Sequence, residues 1–267
     1  NNKPSAAYEV INQITGKKDG HLGFGGLNPW QPLGKTVYAG ETLVVYVGHN
    51  TKRTGDSTNL NLIMTQYHAE SGSLSKSSSA LKIGRNEITL PKISSTIQEK
   101  GGALYVQYNG NKPTDQYAVR VSGGTKFPIL NLYHVSEEEY GKRISSYVQE
   151  LKAYVAELEK QHEKLHSTSE NENVAYAYDA KNCILNVTDI QMDKVMISVP
   201  ASQILAGLSG GNEEQKLLSA VQAMDGMLTL FYQHKGLTDS FAEGTDQAII
   251  EKNHLPYRYL NIRYMKM

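Results

Sequence analysis

The residues best suited to chemistry in this sequence are His162, Glu163 and His166, which form the pattern H-E-x-x-H. Two histidines four residues apart lie on the same face of a helix, so both imidazoles can hold one metal ion. In peptidases with this pattern the metal is zinc, and the glutamate deprotonates the water bound to it. Taken by itself, the motif predicts zinc-dependent hydrolysis.

The surroundings of the motif favour a structural interpretation instead. At about 100° per residue, both histidines fall in the arc of the helix that Leu151, Val155 and Leu158 occupy, so they extend its packing face. Residues 159–161 and Lys164 are charged or polar. A catalytic zinc helix is normally buried and dry around its ligands. We therefore expect a structural helix end here.

A zinc site of this type also needs a third protein ligand. Glu170 and Glu172 follow the motif closely, in a segment rich in Ser and Asn, and no pattern recommends Asp179 or Asp189. We predict no catalytic residue, no metal ligand and no bound cofactor in this chain. A complete zinc hydrolase that uses the H-E-x-x-H motif remains an alternative.

Composition excludes several classes of protein. Lys and Arg number 27, as do Asp and Glu, so no global basic field favours nucleic acid. The longest apolar runs, such as Leu43–Val47, are too short to insert into a membrane. The single cysteine, Cys183, excludes an internal disulfide, and its apolar neighbours favour a small buried side chain over a nucleophile.

The elements that must position any site divide near residue 135. In the first half, short segments rich in β-branched and aromatic residues alternate with Gly, Asn, Ser and Pro, which predicts an antiparallel β-sandwich. The Ser-rich stretch Ser71–Ser79 is predicted to be an exposed loop. The predicted strands are Thr42–Val47, Leu60–Tyr67, Asn86–Leu90, Ala103–Tyr108 and Tyr117–Ser122.

The second half mixes helices and strands. Apolar residues at three- and four-residue steps predict a long helix that begins with a capping box at Ser136 and Glu139 and ends before Ser167. The other predicted elements are a helix at Glu213–His234, a strand at Lys194–Val199, a short helix at Pro200–Leu205 and a strand at Leu260–Met267. Because the chain starts at Asn1 and stops within a strand pattern, we expect it to be part of a longer protein.

Several segments, taken in order, resemble the enhancin-like zinc metallopeptidases, a peptidase M60-like family. The segments that carry the resemblance are Val37–Val47, Gln66–His68, Gly84–Ile88, Gly101–Val106, Val121–Gly124, Thr188–Ile190, Ser198–Ala201 and Leu255–Met265. The resemblance implies an α+β multidomain fold. A jelly-roll-like β-sandwich over residues 1–135 would precede a linker helix and the N-terminal, mixed α/β part of a metallopeptidase domain over residues 136–267.

The resemblance also implies a function. Members of this family are secreted or surface-attached bacterial or viral enzymes that use zinc and cut heavily glycosylated substrates such as mucins. Their H-E-x-x-H and a later glutamate follow a segment similar to the one that ends at Met267. The resemblance therefore implies that this chain is an N-terminal portion that stops before the zinc site, and that His162, Glu163 and His166 belong to the linker helix.

Three hypotheses follow for the function. The favoured one is the N-terminal portion of a secreted or cell-surface bacterial zinc metallopeptidase acting on glycoproteins, inactive by itself. The alternative is a stand-alone module whose sandwich binds glycan or protein. The second alternative is the complete zinc hydrolase. The expected partner is a glycoprotein or mucin, with no nucleic acid and no membrane insertion.

Overall fold

The protein has an α+β architecture in the computed structural model, which describes residues 9–11, 30–37, 40–68, 73–90, 102–110, 116–168, 186–234, 236, 242–246 and 260–263. Within these ranges, residues 9–11, 65–68, 73–77, 161–168, 232 and 260–263 are described by their backbone alone. Two antiparallel sheets come first, and a long helix and a mixed sheet with shorter helices follow. This confirms the predicted fold class.

The described elements have the following bounds. The strands are β1 (Glu9–Ile11), β2 (Trp30–Val37), β3 (Thr42–His49), β4 (Ser57–His68), β5 (Ser73–Lys82), β6 (Gly84–Thr89), β7 (Gly102–Tyr108), β8 (Tyr117–Ser122), β9 (Thr125–Lys126), β10 (Ile129–Asn131), β11 (Thr188–Gln191), β12 (Val195–Val199) and β13 (Leu260–Arg263). The helices are α1 (Glu137–Thr168), α2 (Ala201–Leu208) and α3 (Glu213–His234).

The first two sheets form the sandwich. Their strand orders are β1-β8-β3-β6 and β5-β4-β7-β2-β9, with every pair antiparallel. In β3, Leu43, Val45 and Val47 are buried at every second position, because alternate side chains of a strand point to one face. They share one hydrophobic cluster with Leu104 and Val106 of β7, so the first core lies between the two sheets.

Strand β7 is buried on both faces. Leu104 and Val106 point into the sandwich core, whereas Ala103 and Tyr105 belong to a second cluster on the opposite face of the same sheet. This second cluster also contains Met196, from the second half of the chain. A strand covered on both faces has a nearly continuous apolar sequence. The outer face of the sandwich therefore packs against the second half of the protein.

The strands predicted in the first half are confirmed, but the prediction of a loop at Ser71–Ser79 is wrong. Residues 73–82 form β5, which pairs antiparallel with β4 from Ser57 to His68. Because β5 lies at the edge of its sheet, its backbone forms hydrogen bonds with β4 on one side only. An edge strand accommodates polar side chains such as its serines. Leu81, at its C-terminal end, is buried in the sandwich core and anchors the strand.

The third sheet has the order β10-β11-β12-β13 and mixed strand directions. β10 is parallel to β11, β11 is antiparallel to β12, and β12 is parallel to β13. Helix α1 packs with this sheet, α2 and α3 into one hydrophobic cluster. The buried residues of α1 recur at three- and four-residue steps and are Ile144, Tyr147, Val148, Leu151, Val155 and Leu158.

The helices predicted in the second half and the strand at Lys194–Val199 are confirmed, including the helix at Glu213–His234, although α1 continues to Thr168. Of the strand predicted at Leu260–Met267, residues 260–263 form β13, and the rest lies outside the described residues. At the start of α1, the bond between the two predicted capping residues joins the N–H of Glu139 to the carbonyl oxygen of Ser136, at 3.0 Å. The carboxylate of Glu139 lies 3.9 Å from Arg143. Strand β10 precedes residue 135 but pairs with β11, so it belongs to the third sheet.

Candidate functional site

The H-E-x-x-H motif lies in the C-terminal part of α1, whose helical backbone continues to Thr168. The side chains of His162, Glu163 and His166 lie outside the described residues, as do Glu170, Glu172 and Asp179. In the part of the chain that the structure describes, no group of three His, Cys, Asp or Glu side chains could hold a metal ion. The described residues therefore do not form a zinc site.

Asp189, the remaining candidate for a third ligand, has another role. It lies in β11 and is fully buried. The Tyr105 hydroxyl, which projects from the outer face of β7, donates to its Oδ1 at 3.3 Å and lies 3.4 Å from the Ser198 hydroxyl of β12. Ser198 is directly opposite Asp189 in the antiparallel register. We call Tyr105, Asp189 and Ser198 the junction cluster, because it joins the sandwich to the third sheet.

The junction cluster lies in an apolar environment. The ring of Trp30 is 5.8 Å from the ring of Tyr105, and Phe127 and Met196 belong to the same hydrophobic cluster. A buried carboxylate is costly unless hydrogen-bond donors surround it. The ionised carboxylate only accepts, so both contacts are satisfied if Ser198 donates to Tyr105 and Tyr105 donates to Asp189. The arrangement holds two parts of the fold in one relative position.

A second buried polar chain lies beside the cluster. The Thr188 hydroxyl donates to the carbonyl oxygen of Pro128 at 2.8 Å, so the Tyr147 hydroxyl, also at 2.8 Å, must donate to Thr188. Burial raises the pKa of Tyr147 well above its ordinary value, and the negative charge of Asp189 adds to this, against the opposing hydrogen bond with Thr188. Tyr147 is therefore a neutral donor near neutral pH and has no role as a base.

A groove of about 360 Å³ runs between β10 and the first turns of α1. Lys142 and Arg143 line it together with Glu139 and Glu150. The Arg143 guanidinium donates to the carbonyl oxygen of Asn131 at 3.0 Å. Because two carboxylates oppose the two cations, the groove has no net charge that would select an anion or a cation. It provides no catalytic arrangement.

Two ion pairs fix α3 to the rest of the second half. Lys152 of α1 lies 2.9 Å from Glu213, at the start of α3, and Lys194 lies 3.0 Å from Asp225. The hydrogen bond from Lys152 lowers the pKa of the Glu213 carboxyl below its ordinary value. These pairs are on the surface and orient the helix more than they stabilise it.

The sequence did not single out Tyr105, Ser198 or Tyr147 as a group. One signal was available in Ala103-Leu104-Tyr105-Val106, where no polar residue alternates with the apolar ones. Such a run indicates burial on both faces. A tyrosine in such a strand must find a buried partner for its hydroxyl. The identity of that partner depends on how the third sheet packs, which local patterns do not determine.

Comparison with known proteins gives likenesses of structure. No family model matches the sequence, and no curated protein matches it. The structure of the M60 catalytic domain of ZmpC from Clostridium perfringens, in complex with the sialyl T antigen, is similar over 90% of this chain and 44% of that one, with 19% identity and a TM-score of 0.57. The catalytic module of the metalloprotease ZmpA from the same organism is similar over 88% of this chain and 40% of that one, with 20% identity and a TM-score of 0.53.

These likenesses concern the fold. The chain shares its architecture with a part of M60 metallopeptidase catalytic modules, and it spans less than half the length of the two chains it matches. Among the described residues, none of the helices has the length and apolar character that crossing a bilayer requires.

Proposed function

We propose that this chain is the N-terminal portion of a secreted or cell-surface bacterial zinc metallopeptidase that acts on glycoproteins such as mucins. Residues 1–135 provide the sandwich, and residues 136–267 provide the linker helix and the first part of the metallopeptidase domain. The zinc site and the catalytic residues belong to a further part of the full-length enzyme. This chain alone is inactive and binds no zinc.

The observation that carries the proposal is the likeness to the M60 catalytic domain of ZmpC, which extends over 90% of this chain but only 44% of that domain. Two further points support it. The ZmpC domain was determined with the sialyl T antigen, a glycan. The sequence segments that resemble the enhancin-like family favour the same interpretation.

The position of the H-E-x-x-H motif supports a structural role for α1. Leu151 and Val155 are buried in the hydrophobic core that α1 shares with the third sheet, α2 and α3, and Leu158 is also buried. Positions 162 and 166 follow Leu158 by four and eight residues on the same continuous helix. Steps of three and four residues keep to one helix face. Positions 162 and 166 thus fall close to the helix face on which Leu151, Val155 and Leu158 lie.

The first experiment tests the motif by metal analysis. We expect the purified chain to bind less than about 0.1 equivalent of zinc, where a tetrahedral protein site would bind about one. A His162→Ala/His166→Ala variant is expected to bind the same amount. The matched control replaces two exposed histidines outside the motif, as His134→Asn/His234→Ala. Stoichiometric zinc in the parent that only the motif variant loses would establish the complete zinc hydrolase instead.

The second experiment tests the activity of the full-length protein. A longer form of the natural polypeptide is expected to cleave an O-glycosylated peptide, to lose this activity with a zinc chelator, and to retain it with the His162→Ala/His166→Ala change. An inert longer form would contradict the proposal. Glycopeptide binding without cleavage by both forms would favour the alternative of a binding module.

A further inference from the structure

Helix α3 carries an exposed apolar stripe next to its buried face. Met227, Leu230 and Phe231 are 57%, 68% and 40% exposed, and Ala223 and Ala220 are exposed about one and two turns before Met227. We call these five residues the α3 stripe. Isolated exposed apolar residues are ordinary, but a contiguous row of them marks an interaction surface.

The spacing of the α3 stripe fits another helix. Positions 220, 223, 227 and 230 follow each other by three, four and three residues, the steps of a helix-packing seam. Between positions 220 and 231, the exposed side chain of Gln222 lies about 140° from Met227 around the helix, at 100° per residue, and Lys216 and His234 bound the stripe at its two ends. The row is therefore a narrow apolar line that a neighbouring helix would cover.

The α3 stripe adjoins the hydrophobic core that α3 shares with α1, α2 and the third sheet. Leu217, Val221 and Leu228 on the adjacent face of α3 are buried in that core. Met224, between the buried face and the stripe, is partly buried and packs against the same cluster. An apolar surface that is continuous with a core is typical of a domain interior that lacks one of its layers. A separate docking site for another protein would have no such continuity.

The exposed area argues against a second copy of this chain as the occupant. At about 200 Å² for each large side chain, the exposed fractions of 57%, 68% and 40% for Met227, Leu230 and Phe231 leave about 330 Å². A stable interface between separate proteins buries about 800 Å² per partner. A segment of the same polypeptide needs less area, since tethering makes its effective concentration high.

We propose that the α3 stripe packs against a helix from the part of the metallopeptidase module that has no counterpart in this chain. The inference rests on the proposed function, because it takes the full-length protein to contain that part. The chain matches only 44% and 40% of the two catalytic modules, so more than half of such a module would lie outside it. The stripe is then a contact within the catalytic domain.

Cysteine labelling in the longer form of the protein tests this contact. Met227→Cys is compared with Gln222→Cys on the exposed polar face of the same helix, both in a Cys183→Ser background. We expect a maleimide to label position 227 at least about tenfold more slowly than position 222, because buried sites react only after local opening. In the 267-residue chain the two rates are expected to be similar.

Each other outcome overturns the inference. Equal rates at both positions in the longer form would mean that nothing covers the stripe. Slow labelling of position 227 in the shorter chain as well would assign the cover to residues within it or, if the protection increases with protein concentration, to a second copy. Cleavage of glycopeptide by the same longer form is measured separately. Protection without cleavage would contradict only the proposed function, and cleavage without protection only the inference.

Discussion

Replacing Tyr105 by phenylalanine tests whether the junction cluster holds the sandwich to the third sheet. The change keeps the ring, so its packing against Trp30 at 5.8 Å is preserved. Only the hydroxyl is lost, together with its contacts to Asp189 Oδ1 at 3.3 Å and Ser198 Oγ at 3.4 Å. The buried carboxyl then has one hydrogen-bond donor fewer.

The expected loss of stability follows from these distances. A hydrogen bond to a charged group contributes about 1.5–3 kcal/mol, and a buried acceptor left without its donor costs a similar amount. Both contacts of Tyr105 are longer than the usual O–H···O range, which places the effect toward the lower end. We expect Tyr105→Phe to lower the free energy of unfolding by about 2 kcal/mol and the Tm by about 4–8 °C.

The assay is urea unfolding followed by tryptophan fluorescence. The sequence contains one tryptophan, Trp30, and it lies within the junction, so its emission reports on this region. Tyr46→Phe is the matched control, because Tyr46 is 41% exposed and lies on the other sheet. The control is expected to change stability by less than about 0.5 kcal/mol.

A double-mutant cycle decides whether the effect passes through the carboxyl group. Tyr105→Phe is combined with Asp189→Asn, and the expected coupling between the two changes is about 1 kcal/mol. Equal stability of Tyr105→Phe and the Tyr46→Phe control would refute the reasoning. Strict additivity in the cycle would show that the Tyr105 hydroxyl acts independently of the Asp189 carboxyl group.

Three further predictions concern pH and backbone conformation. Burial raises the pKa of Tyr147, so the stability it contributes is complete below about pH 10 and declines above it as the unfolded chain releases the proton. The Tyr147→Phe variant is expected to show a smaller decrease in the free energy of unfolding at alkaline pH, measured by urea unfolding. Lys152 lowers the pKa of Glu213, so the stability from this pair is present above the ordinary pKa of a glutamate and is lost as the pH falls through the lowered value. The Glu213→Gln variant is therefore expected to lose less stability on acidification than the parent. Equal loss in both proteins would contradict the pairing. Gly124 has a φ of +68°, and an added Cβ would lie 2.7 Å from a backbone carbonyl oxygen, whereas Gly55 has a φ of +92° and open space around it. Gly124→Ala is expected to lower the free energy of unfolding by about 3 kcal/mol and Gly55→Ala by about 1 kcal/mol. Similar thermal shifts for both variants would argue against the close contact.

The sequence predicted the strands of the sandwich and the helices of the second half because each has a local hydrophobic period. The helix at Glu213–His234 was predicted at its observed bounds. Strand β5 was missed, since its serines carry no period and its pairing with β4 supplies the stabilisation. Strand β2, at Trp30–Val37, was not predicted either. Its pairing with β7 is a long-range contact that no local pattern encodes.

The candidate site was less accessible to sequence reasoning than the fold. The H-E-x-x-H spacing is visible in the sequence, but the packing of α1 against α2, α3 and the third sheet, through its buried residues from Ile144 to Val155, depends on tertiary structure. From the sequence, Asp189 could be considered only as a possible third metal ligand that no motif supports. Its position opposite Ser198, within reach of Tyr105, depends on the register of β11 with β12 and on the packing of that sheet against β7.

The double-sided burial of β7 has a consequence for how this fold evolves. A β-sandwich with a single core and a solvent-exposed outer surface can be transferred between genes as an independent domain. Here an excised sandwich would present Trp30, Tyr105 and Phe127 to water, and the partner sheet would lose the surface on which it rests. Gene shuffling at this boundary would yield insoluble products, so we expect the two halves to be inherited together and to change in concert.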